Sequence, residues 1–103
     1  MRTESDLQHY FIKEVKRVGG LADKLESKSR RGWPDVCVIS GGEVFFIEFK
    51  HPNGTGRVGA HQVRVMEDIS SRGGNTLVLS NKKAADDFIS GLPLPNLNGQ
   101  HPT

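Results

Sequence analysis

The chain has 103 residues, of which 35% are apolar, and a formal net charge of +2. That describes one small domain with a modest core, and the charge is too slight to establish a polyanionic partner by itself. No apolar run approaches the roughly 20 residues of a membrane-spanning helix, the single Cys37 excludes an internal disulfide, and the polar start Met1–Asp6 lacks the apolar stretch of a signal peptide. The expectation is a soluble protein of a reducing compartment, the cytoplasm.

Residues 3–18 read as a helix, with Thr3 as its cap and Leu7, Phe11, Val15 and Val18 recurring at helical spacing. Glu4 and Glu14 fall within or beside that apolar stripe, where a carboxylate has either a structural partner or a task. Gly19–Gly20 stops the helix. Residues 21–25 are a short strand. The basic loop 26–33 carries Lys28, Arg30 and Arg31.

The two best strands, 36–39 and 44–49, are apolar on both faces, which predicts a central hairpin covered on both sides. His51–Gly59 is a glycine-rich loop. Residues 60–72 form a second helix with Val63, Met66 and Ile69 expected toward the core, and 76–80 form a fourth strand. Because a helix precedes it, that strand is expected parallel to the 43–50 strand through a right-handed crossover. A short helix covers 82–89. The domain is expected to span residues 1–90, with 91–103, rich in proline and glycine, as a flexible tail.

Gly41–Gly42 between the two best strands reads as a two-residue hairpin turn, which pairs Ser40 with Glu43. Counting outward pair by pair brings Asp35 opposite Glu48. Cβ atoms of such a pair lie about 4.5–5.5 Å apart, and like charges there repel. A divalent cation between them turns the liability into a site. Lys50 is two residues beyond Glu48 and shares its face.

Pro34–Asp35, twelve intervening residues, then Glu48–Phe49–Lys50, resembles the signature of the PD-(D/E)xK nucleases. The element order is similar to that superfamily's αβββαβ core, a mixed sheet flanked by helices. Within it the chain resembles the VRR-NUC family. The likeness extends to Glu4, Gly19–Gly20–Leu21, Lys24, the run Arg31–Gly32–Trp33–Pro34–Asp35, Gln62 and Gly73, over roughly residues 4–90. One departure is Trp33, where a smaller aliphatic residue is more usual.

The resemblance implies a DNA endonuclease dependent on Mg²⁺ or Mn²⁺. Its small stand-alone members occur in phages and bacteria and resemble Holliday-junction-resolving homodimers. It implies Asp35, Glu48 and the Phe49 carbonyl as metal ligands, with Glu4 favoured over Glu14 as a further one. Lys50 acts on the attacking water or the phosphate, and Gln62 contacts the site from the second helix. Lys28, Arg30, Arg31 and Arg57 are the candidate DNA-phosphate contacts. Two other readings stay open: a nucleic-acid-binding module that has lost cleavage, and a structural dimerisation domain with a fortuitous motif. Within the nuclease reading, flap or other branched DNA competes with four-way junctions.

Overall fold

The computed structural model describes residues 3–25, 31–51 and 58–93. Seven elements follow in chain order: α1 (Glu4–Arg17), β1 (Leu21–Lys24), β2 (Val36–Ser40), β3 (Glu43–Phe49), α2 (Ala60–Ser71), β4 (Asn75–Leu79) and α3 (Lys82–Ser90). The Thr3 hydroxyl caps α1 by accepting from Asp6 N at 3.0 Å, and Asn81 caps α3 by accepting from Ala84 N at 2.8 Å. Each cap satisfies an N–H that has no partner within its helix.

The strands form one sheet in the order β1-β2-β3-β4. The first two pairings are antiparallel and β3 with β4 is parallel. Gly41 and Gly42 have φ of 58° and 83°, the positive values that a type I′ turn demands at both central positions. The turn sets Ser40 opposite Glu43 and Val36 opposite Ile47, the register expected from the sequence.

Alternation along the strands gives the sheet two different faces. Leu7, Phe11 and Val15 of α1 are fully buried in a core with Val38, Ile47 and Phe49. Phe11 meets Phe49 edge-on at 5.3 Å between ring centroids. Ala85 of α3 joins this core, so α1 and α3 share one face. Glu48, between Ile47 and Phe49, points to the other face, where α2 lies.

Three expectations change. In α2 the buried residue is Val65, while Val63 is 42% exposed; Met66 and Ile69 are half-buried. The second face is only partly covered: α2 packs on β4, and Leu21 and Ile39, which are paired across β1 and β2, stay 54% and 42% exposed. Packing also runs past residue 90. Leu92 is buried in the core, and the Pro93 carbonyl accepts a 2.6 Å hydrogen bond from the Ser40 hydroxyl. The rest of the expected tail, 94–103, lies outside the described residues.

Candidate active site

Asp35 sits one residue before β2, just beyond the last ladder pair. Three hydrogen bonds and a buried neighbour hold it there. Its N–H donates to the Ile47 carbonyl at 2.9 Å, and its carbonyl accepts from Leu25 N at 2.8 Å. Its carboxylate Oδ2 accepts from Phe49 N at 2.9 Å. Pro34 before it is fully buried. Asp35 is therefore stitched to β3 on both sides of Glu48.

Glu48 is 3% exposed. Its Oε2 lies 3.1 Å from Lys50 Nζ and accepts a short hydrogen bond from Gln62 Nε2. Its Oε1 is buried without a hydrogen-bond partner among the described residues. Burial first, and the neighbouring Asp35 charge second, push the Glu48 carboxyl above the usual carboxylate range, against the opposing pull of Lys50 and Gln62. An orphaned buried carboxylate oxygen is costly in a folded protein. A donor or a cation at that oxygen would remove the cost.

Gln62 joins three elements of the site. Its Oε1 accepts from Lys50 Nζ at 3.0 Å and from Gly59 N at 3.2 Å, while its Nε2 serves Glu48. The bond to Gly59 is half of a capping box, so the same side chain begins α2 and spans the acid–lysine pair.

The structure thus brings together Asp35, Glu48, Lys50 and Gln62. Glu4 is exposed in the first turn of α1. Glu14 is partly buried and has a structural partner, Arg17, at 3.1 Å. Arg31 is exposed; Lys28, Arg30 and Arg57 lie outside the described residues.

No family model matches the chain. A solved structure, a VRR_NUC domain, is 30% identical and superposes with a TM-score of 0.76, over 88% of this chain and 98% of its own length. "Putative nuclease p44" of Acyrthosiphon pisum secondary endosymbiont phage 1 is 31% identical over 94 residues, 90% of this chain and 95% of the phage protein. This chain belongs to the VRR-NUC family. Its four-stranded mixed sheet with flanking helices is the VRR-NUC nuclease fold.

The residues of this VRR-NUC site fit a hard divalent ion. Among the described residues no three His, Cys, Asp or Glu side chains converge. Two carboxylates do, one of them with an unsatisfied buried oxygen. Mg²⁺ asks for little more, because it keeps several waters and binds through one or two carboxylates. Sequence reasoning named Gly32 within the run before Asp35 and gave it no role of its own. Its φ is +90°, and it lies against the backbone of the first turn of α2. Its place in the run before Asp35 was the only signal.

Proposed function

We propose that this VRR-NUC chain is a DNA endonuclease dependent on Mg²⁺ or Mn²⁺, cutting four-way junctions as a homodimer. The observation that carries the reading is Glu48: buried, charge-paired through one oxygen, orphaned at the other, and beside Asp35. Asp35, Glu48 and the Phe49 carbonyl would hold the ion. When bound, the ion supplies a Lewis acid that neutralises phosphate charge and makes a nucleophile of water near neutral pH.

The other steps belong to the chain's own groups. An ammonium has three N–H donors and no acceptor, so Lys50 serves as a donor and not as a base while it is ion-paired. Two donors point at Glu48 and Gln62. The third is assigned to the attacking water or a phosphate oxygen, where it offsets the charge that grows in the transition state. Gln62 restrains the lysine and engages Oε2 of Glu48, and Glu48 would help to hold the ion. Asp35 keeps its orientation through the Phe49 N–H.

Labelled four-way, flapped and linear DNA, incubated with and without Mg²⁺, tests the activity and its shape preference. Asp35→Asn and Glu48→Gln are expected to abolish cleavage while DNA binding persists. Lys50→Ala is expected to slow it by at least about 10²-fold. Unchanged Mn²⁺ binding by calorimetry in both carboxylate variants would remove them as ligands. Cleavage at the full rate in a metal chelator would remove the ion.

A further inference from the structure

We propose that Gly32 is a positioning residue for the active site. Its missing side chain lets the segment leading to Asp35 seat on the first turn of α2, and that seat fixes where Gln62 holds Glu48 and Lys50. The inference rests on the active-site reading above and extends it to a residue that touches none of the reacting groups.

The geometry is a contact between two backbones. A methyl group on Gly32 would stand 3.0 Å from both the carbonyl carbon and the oxygen of His61, and 3.3 Å from Gln62 N. Helix backbone cannot rotate aside as a side-chain tip can, so relief requires moving one of the two segments. The strap that carries Asp35 is held fast. Pro34 is fully buried, Trp33 packs edge-on against Phe46 at 5.9 Å, and Asp35 is bonded to Ile47 and Phe49 of β3. The start of α2 is the looser partner. Ala60 and His61 are exposed, and among the described residues Gln62 ties this turn to Glu48 and Lys50. Displacing the turn pulls the Gln62 amide off Glu48 and Lys50.

Gly32 also has φ of +90°, which strains any L-residue. Strain and contact must be told apart, and the chain contains its own control. Gly73 has φ of +92°, with nothing within 4 Å of where its Cβ would be. Gly73→Ala therefore carries the strain without the collision.

The experiment uses the full chain in four forms: wild type, Gly32→Ala, Gly32→Asn and Gly73→Ala. Asn tolerates positive φ better than Ala while placing a Cβ at the same point, so it keeps the collision if the Ala variant does not fold. The first readout is the Gln62 side-chain amide resonance in a ¹H–¹⁵N spectrum without metal or DNA, assigned with Gln62→Ala. The second is kcat against KM on the preferred DNA. Both Gly32 variants are expected to shift the Gln62 resonance. They should also lower kcat several-fold with KM nearly unchanged, short of the roughly 10²-fold of a 1 Å misplacement, because the contact asks the turn to give by a few tenths of an ångström. Gly73→Ala is expected to leave both readouts at wild type. In a Gln62→Ala background, adding Gly32→Asn is expected to cost less than about twofold more, since the two act through one contact. A wild-type Gln62 resonance in a folded Gly32 variant, or a full additional loss on top of Gln62→Ala, overturns the proposal. If wild-type protein cuts no DNA, the nuclease reading fails, and the amide resonance alone still decides the role of Gly32.

Discussion

At the scale of single residues, the proposed chemistry rests on Glu48. A carboxylate is held at 3% exposure next to another, with one oxygen unsatisfied. A ligand that binds only the folded state stabilises it by RT ln(1 + [L]/Kd), about 2.7 kcal/mol at a hundredfold excess over Kd. Mn²⁺ is therefore expected to raise the melting temperature of the wild type and to leave that of Glu48→Gln where it was. Equal shifts in the two would place the ion elsewhere. Asp35, Glu48 and Lys50 were legible in the sequence, because a glycine-glycine turn fixes a register and a register fixes neighbours. The contact of Gly32 was not legible, since it is made with a turn 29 positions along the chain. The Glu14–Arg17 pair shows the reverse hazard: a carboxylate near an apolar stripe had an ordinary partner one helical turn away.

At the scale of elements, α2 gives the plainest lesson. Val63, Val65, Met66 and Ile69 are all apolar, and periodicity alone allows more than one buried stripe through them. Packing on β4 chose the one with Val65. Val65→Ala is expected to cost about 2 kcal/mol from lost burial and the cavity left behind. Val63→Ala should fall within about 0.5 kcal/mol of wild type. Denaturant titration of the two variants checks the assignment, and a reversed order would refute it.

The junction of α1 and α3 carries a pH dependence. Tyr10 donates to Asp86 at 2.5 Å, and Lys82 reaches Asp86 at 2.7 Å. Lys82, and then Tyr10, hold the Asp86 carboxyl below its usual range. The Asp86 acceptor pushes the Tyr10 hydroxyl up and, with Tyr10, raises Lys82. A depressed acid contributes stability above its unfolded pKa and loses it as pH falls through the folded one. A raised tyrosine or lysine contributes below its unfolded pKa and loses it as pH rises through the folded one. Stability from this cluster is thus expected to fade both below the ordinary carboxylate range and above about pH 10. Thermal melts across pH should show Asp86→Asn flattening the acid limb and Tyr10→Phe the alkaline one.

At the scale of the whole molecule, the order of elements and the parallel closing strand were readable because each follows from a local pattern and one handedness rule. Partial coverage of the second face was not, since it depends on where a helix settles over the sheet. Under the junction-cutting proposal, selection rests on shape and phosphate geometry, since phosphate contacts carry no base sequence. Coordinated cuts on both sides of a junction are most simply made by two sites related by a two-fold axis. Light scattering is expected to give about twice the 11.3 kDa chain mass, and junctions are expected to be cut faster than linear duplex. A strict monomer in the presence of DNA, or equal rates on the two substrates, would defeat this part alone. Reversing the charge of exposed Arg31 should flatten the salt dependence of binding by about one phosphate contact.

The Gly41–Gly42 turn has a consequence for evolution and engineering. It lies at the far end of a ladder of five pairs from Asp35 and Glu48. Residues added at the tip lengthen a solvent loop and leave every pair below it in place, at a cost of about 0.6 kcal/mol for each doubling of loop length. One residue added within either strand turns every side chain beyond it to the opposite face and separates the two acids. The number of residues between the acid and the Glu-Phe-Lys motif is therefore free to drift among relatives, while strand register is not. The same tip is the natural place to graft a fluorophore or an affinity tag onto a working enzyme.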